Sequence, residues 1–550
     1  MRKPRILFCS EATFLHTGYA TYTREILKYL YSTEKYEIAE LASYGEVDDP
    51  RAKDIPWKFY GVSPGSKASK EEQDKYHANP LNQFGEYRFE EVCLEFQPDV
   101  VCDIRDFWML DFQERSPFRK LFNWLIMPTV DAAPQARQWI STYQSADACL
   151  TYSEWSGKVL QDQSGQQINY IGTSPPSAHP AYQPMDKAQC RNDLGIDVDV
   201  KMIGTVMRNQ RRKLYPDLFK TFKSLLDAGA KNTYLYCHTS YPDLGWDIPE
   251  LLQEYELSSH VYFTYVCTET NKPFASLFKG AKTQSPFTGN FTAVLSNVQH
   301  GLSYEDLAKV MNCFDVYVQY ANSEGFGLPQ VEAAACGIPL MSVDYSAMSS
   351  VVRKLGGVCL TPKALYKELE TGCFRAVPDN EESARKLKEF FDSTPEDKKA
   401  FSERVRANFL KHYQWEDSGK AWEKYIDTID VSSNRYVETP LDIKKPAEMP
   451  SEESIKQITP SSMVYWLIVN VLVKPEMVHS FLAQRLIRDL TYQNVTAAVA
   501  GMYENEMSAM TFGGQNKREV FTFKQAYNHC LNIRNKINFW EDRRRKVLGL

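Results

Sequence analysis

The chain has 550 residues, 43% of them hydrophobic and 24% charged, with a formal net charge of −6. That length implies two or three domains with sizeable cores, and the composition excludes a disordered polymer. The small negative charge gives no global signature of a nucleic-acid binder, and twelve cysteines without CxxC spacing imply reduced thiols in a cytoplasmic compartment.

In chain order, the opening MRKPRILFCSEATF has an apolar run too short for a signal peptide and passes straight into a βα pattern. Residues 5–10 predict a strand, 11–17 a loop, and Gly18 opens a helix over 19–30. A first strand followed by a glycine-started helix is where an open α/β sheet offers a phosphate site. Residues 99–103 form another strand. The Asp103/Asp106 pair beyond it lacks further ligands and reads as a solvated loop, not a metal site. A strand at 121–127 leads into Pro128–Pro134, which carries Asp131. Residues 148–153 read as the last principal strand of a first domain, with a helix from Glu154.

The four prolines within 174–184 mark an interdomain connection. A short helix at 187–194 precedes a new strand, 202–207, that ends at Arg208. Lys213 follows five residues later, before a helix over 216–226. A strand-end guanidinium can fork two phosphate oxygens while a loop ammonium neutralises the remaining charge. Arg211 and Arg212, between them, read as surface charges. Strands at 233–238 and 261–265 are followed by an irregular Thr/Gly/Pro-bearing insertion at 267–291, and a helix at 304–311 leads to the most informative stretch.

That stretch, 314–343, reads as strand, glycine turn, helix, strand. Glu324-Gly325-Phe326-Gly327 lets the backbone approach a ligand, Pro329 suits a first helical turn, and Gly337 and Pro339 end the helix. Leu328 and its neighbours point bare amides at the turn, framed by Glu324 and by Glu332 eight residues on. Helices at 381–409 and an amphipathic helix at 415–429 complete this part. Residues 432–457 are a polar linker and 461–550 are mostly helical. The longest apolar run, 463–473, is too short to cross a bilayer. The last stretch is rich in Lys and Arg, with Phe521, Phe523, Tyr527, Phe539 and Trp540 among them.

EGFGLPQVEAAACGIP resembles the E-x7-E signature of the retaining GT4 (group 1) glycosyltransferases. HTGYATYTREIL resembles that family's loop over the donor diphosphate, and RNQRRK its diphosphate clamp. The resemblance covers about residues 1–430 and implies an α/β protein of the GT-B fold. Two Rossmann-like domains, 1–180 and 190–412, would face a cleft, with 413–430 crossing back to the first and 431–550 as a helical extension. It implies a nucleotide-diphosphate sugar as co-substrate, no further cofactor, no metal, and transfer of a hexose or pentose with retention. Arg208 and Lys213 would meet the diphosphate, Glu332 the ribose hydroxyls, and Glu324 with the 326–328 amides the sugar. Gly18 would contact the donor through its backbone. Asp131 stands where the family often has a histidine touching the sugar.

Three readings of the role stay open. The acceptor is a small molecule, lipid or glycan; or it is a hydroxymethylated base of DNA, met through the basic C-terminal extension; or the chain is a non-catalytic sugar-nucleotide-binding module.

Overall fold

The computed structural model describes residues 2–65, 67–297, 299–440, 443–480, 483, 486–487 and 523–550. In the first domain, seven strands form one parallel sheet: β1 (Arg5–Glu11), β2 (Glu37–Glu46), β3 (Lys58–Ser63), β4 (Val100–Arg105), β5 (Asn123–Pro128), β6 (Ala148–Thr151) and β7 (Tyr170–Thr173). Their order is β3-β2-β1-β4-β5-β6-β7. Strands such as β4 and β6 are buried along their whole length, because helices cover both faces of a parallel sheet. The expectation that 148–153 is the last principal strand is corrected by β7. It is a half-buried edge strand and therefore carries no apolar run to announce it.

The second domain contributes β8 (Lys201–Val206), β9 (Thr233–His238), β10 (Val261–Cys267), β11 (Pro273–Leu277), β12 (Lys282–Thr283), β13 (Ala293–Leu295), β14 (Val316–Gln319), β15 (Leu340–Val343) and β16 (Val358–Leu360). The sheet runs β12-β13-β10-β9-β8-β14-β15-β16, with β11 also on β10. The insertion predicted to be irregular is an antiparallel ribbon, β11 to β13, extending the sheet edge. Its strands are too short to show a period of two.

A separate hairpin, β17 (Pro362–Lys367) with β18 (Phe374–Pro378), has no counterpart in the sequence reading. It reaches the first domain, where Phe374 N donates to Ala133 O at 2.7 Å and the Cys373 thiol to Pro134 O at 3.1 Å. The carboxyl ends of the two sheets thus face one another across a cleft, the arrangement in which open α/β sheets hold ligands.

The helix Trp415–Ile426 returns to the first domain and lies along the helix Gly18–Ser32. Trp422 is fully buried, donates through Nε1 to Tyr22 Oη at 3.0 Å and Ser174 Oγ at 3.1 Å, and meets the Phe8 ring. Tyr29 donates to Glu423 and Lys35 pairs with Asp427, so the crossing is fixed by a packed core and a polar margin.

In the extension, Pro460–Leu467 and Ile468–Leu472 bury Met463, Leu467, Val471 and Leu472 against Phe523, Ala526 and Cys530 of the long helix Phe523–Leu548. That helix also packs Trp540 into the first domain's core. Two of its basic residues are structural: Arg534 donates to Leu472 O and Arg544 to Tyr436 O, both side chains being buried. Lys517, Arg518 and Phe521 lie outside the described residues. No helix among the described residues is long and apolar enough to cross a membrane.

Truncating Trp422 should therefore loosen the union of the domains. Trp422→Ala is expected to cost about 3–5 kcal/mol. Denaturant midpoints and faster proteolysis between residues 413 and 440 are the measurements.

Candidate active site

The site grows from β14. Its four residues are all buried, and the chain then leaves the sheet through Ser323-Glu324-Gly325-Phe326-Gly327 into the helix Leu328–Ala335. Gly327 adopts φ +89°, a left-handed conformation that favours glycine, and supplies no side chain to cap the helix. The first helical amides are thereby left to an outside acceptor, with Pro329 in the first turn where no donor is lost. Gly325 faces the first domain: a β-carbon there would stand 2.5 Å from Thr129 Cγ2. Phe326 is buried between the rings of Tyr152 and Tyr413. Gln330, in the same first turn, is fully buried and neither of its side-chain polar atoms has a partner among the described residues. Sequence reasoning passed over it.

The Glu324 carboxylate is buried and receives three donors: the Lys213 ammonium, the Arg212 guanidinium and Gln319 Nε2 at 3.0 Å. Ser346 Oγ accepts from Glu324 N at 2.9 Å and fixes the turn from behind. Lys213 sits on the loop after β8, bridged to Ala321 and held by Trp246 Nε1, which donates to its carbonyl at 2.7 Å. Burial, and then the neighbouring Arg212 charge, push the Lys213 ammonium well below its ordinary pKa. Arg212 also feels the charges of Asp131 and Asp106 across the cleft.

Arg212, expected to be a surface charge, is instead half-buried on Glu324, and this corrects the sequence reading. Successive residues of a strand point to opposite sides, but Arg212 and Lys213 sit at a turn, where both can point to one. Arg208 lies elsewhere, half-exposed, forking Asp243 at 2.9 and 3.0 Å. That pair, with Ser240 and Leu244 N, holds Asp243 at a pKa of about 2 against the cost of its desolvation. The residues brought together on Glu324 are thus Arg212 and Lys213, while Arg211 is exposed.

Across the cleft, Asp131 accepts from Arg375 Nη1 at 2.7 Å, and Arg375 also reaches Ser323 Oγ and Glu368 Oε2. Arg375, on β18, is buried, so this is the polar joint between the domains. Tyr19 donates to Asp106 Oδ1 at 2.8 Å and shares a hydrogen bond of 2.5 Å with Thr129 Oγ1. Desolvation lifts Asp106 to about 6. Asp103, expected in a solvated loop, is fully buried on β4 and accepts from Gln113 Nε2 at 2.9 Å and Trp124 Nε1 at 2.7 Å. Among the described residues no group of three or more His, Cys, Asp or Glu could hold a metal ion. Gly18 is exposed at the start of its helix with open space over its α-carbon.

Glu332, one turn into the helix, is buried, and desolvation raises its carboxyl to about 7, the Tyr182 hydroxyl offsetting part of that cost. It lies past the first turn of that helix, beside Tyr182 and Tyr317, while Glu324 precedes the helix and meets Lys213 and Arg212.

Residues 296–407 match the family model described as glycosyl transferases group 1. No curated protein sequence matches the chain. Among solved structures, sucrose-phosphate synthase from Thermosynechococcus elongatus superposes with a TM-score of 0.55 at 15% identity, over 78% of this chain and all of that one. A glycosyltransferase from Rickettsia africae gives 0.54 at 13% identity, over 79% of this chain and all of its own. The Anabaena protein HepE in complex with UDP and glucose gives 0.52 at 14% identity, over 77% of this chain and all of its own. The fold is GT-B: two Rossmann-like domains with the turn after β14 at their junction.

Two outcomes test this geometry. A carboxyl raised from 4.5 to about 7 holds its proton longer in the folded state, so its contribution is full below the unfolded pKa and is lost as pH rises toward 7. Wild type should lose roughly 3 kcal/mol of stability relative to Glu332→Gln between pH 4.5 and 7.5, read from paired denaturant titrations. Asp131→Ala should favour the open cleft by about 1 kcal/mol, seen as a larger radius of gyration in small-angle scattering.

Proposed function

We propose that the protein is a retaining glycosyltransferase that moves a hexose or pentose from a nucleotide-diphosphate sugar to an acceptor hydroxyl. The observation that carries this reading is Glu324, buried beneath Lys213 and Arg212 and beside a helix start without a side-chain cap. A diphosphate in the cleft would meet Arg212, Lys213 and the helix-start amides, where developing negative charge is stabilised in a low-dielectric setting. Two of the solved structures with this fold carry UDP with glucose or UDP-glucose, so UDP-hexoses are the first donors to try.

In the proposed reaction the bond between the anomeric carbon and the diphosphate oxygen breaks, and the acceptor oxygen bonds to that carbon on the same face. The acceptor hydroxyl's proton goes to the departing phosphate oxygen, so no protein base takes part. Lys213 and Arg212 neutralise the leaving group. Arg208 joins them only by exchanging Asp243 for phosphate. Glu324 and the amides from Phe326 to Leu328 face the sugar, Glu332 the ribose, Gly18 the diphosphate through its backbone, and Asp131 the sugar from the opposite domain. The co-substrate is the nucleotide-diphosphate sugar itself, with no further cofactor. Closure of the two domains keeps water from the donor.

Wild type should release nucleoside diphosphate from one member of a UDP- and GDP-sugar panel, and Glu324→Gln should lower that rate by about 10²–10³-fold. The anomeric configuration of the product, read by NMR, decides retention. Binding of donor without turnover over the whole panel would make the chain a sugar-nucleotide-binding module instead.

A further inference from the structure

The hairpin β17–β18 belongs to neither main sheet. β17 is exposed along nearly its whole length, Leu365 and Tyr366 included, while β18 lies against both domains. Its hold on the first domain comes from three successive residues. Cys373 is 1% exposed and packs among that domain's core residues, its thiol donating to Pro134 O; Phe374 N donates to Ala133 O; and Arg375 donates to Asp131. Its hold on the second domain runs to the turn after β14. Ala376 N donates to Asn322 O at 2.9 Å, Asn322 Nδ2 to Tyr366 Oη at 3.1 Å, and Arg375 also to Ser323 Oγ, next to Glu324. The hairpin thus ties the first domain to the turn that carries the candidate donor contacts.

That tie shuts the cleft. Lys213, Glu324, Phe326 and Glu332, the residues proposed to meet the donor, are all buried. Gly325 stands so close to the first domain that a β-carbon on it would lie 2.5 Å from Thr129 Cγ2. A sugar ring between the two would need a contact of about 3.5–4 Å on each of its faces, and that gap is absent. Asp131, proposed to face the sugar from the opposite domain, already accepts from Arg375 and, at 3.4 Å, from Ser323 Oγ. Donor and hairpin therefore compete for the same carboxylate and the same space. The hairpin contacts that break on opening are few: two neutral hydrogen bonds, one ion pair and the seat of Cys373. A small set of contacts of this kind suits a cleft that passes between two states.

We infer that the hairpin β17–β18 is an autoinhibitory strap: it holds the cleft shut until Arg375 releases Asp131, and so sets how fast and how tightly the donor binds. The inference rests on the transferase reading and adds a regulatory element to the donor site. A donor that enters only the released state binds with its intrinsic affinity reduced by the fraction of molecules released. Weakening the strap therefore improves donor binding, whereas loss of a side chain that touches the donor weakens it.

The test compares the wild-type chain with Arg375→Met and Cys373→Ala, using the donor found active in the nucleotide-sugar panel. Stopped-flow mixing should show donor association faster by about tenfold in Arg375→Met and about threefold in Cys373→Ala, with the donor KM falling in step. Small-angle scattering before donor is added should give a larger radius of gyration for Arg375→Met than for wild type. If circular dichroism shows Arg375→Met unfolded, Cys373→Ala carries both measurements. Donor association unchanged or slower in the folded variants would overturn the inference, as would a radius of gyration equal to that of wild type. A weaker donor affinity in Arg375→Met would overturn it too, by making Arg375 a donor contact. Absence of donor binding in wild type and both variants alike would remove the transferase reading as well.

Discussion

The structure depends most on a buried carboxylate held between two cations at the junction of the domains. Glu324, Lys213 and Arg212 come from loops at the ends of two neighbouring strands of one sheet, and Gln319 adds a neutral donor. Removing one partner from such a buried cluster leaves an uncompensated charge, at a cost of about 3–5 kcal/mol.

Around that cluster the two domains are joined at separate places. The helix Trp415–Ile426 fixes them through a packed contact centred on Trp422. The hairpin β17–β18 joins them at the mouth through Arg375, whose partners Asp131 and Ser323 lie on opposite sides. The first joint is packed around a buried tryptophan with a polar margin, and the second is polar throughout. A hinge at the back with a polar latch at the front is what a cleft that opens and closes needs.

The C-terminal extension is integrated with the first domain and not appended as a free basic tail. Arg534 and Arg544 cap carbonyls from neighbouring segments, and Trp540 fills the first domain's core. Part of the charge that suggests a nucleic-acid surface in the sequence is thus spent on holding the long helix in place.

Local chemistry was legible in the sequence wherever neighbours along the chain make the feature. The glycine turn, its proline, the two glutamates eight apart and the flanking strands need only residues 314–343, so spacing reveals them. Arg212 could not be read that way, because which of two adjacent arginines turns inward depends on how its loop packs on residues 321–324. Arg375 and Asp131 are 244 positions apart, and no periodicity links them. Asp103 looked solvated because an acid at a strand end usually is; Trp124 and Gln113 bury it from elsewhere in the chain. The sequence by itself determined two α/β halves and a strand, glycine turn, helix and strand over 314–343, since these follow from short-range backbone and side-chain preference. Only the tertiary structure decided which cations meet Glu324 and how the domains latch, because those facts depend on distance in space and on exclusion of water.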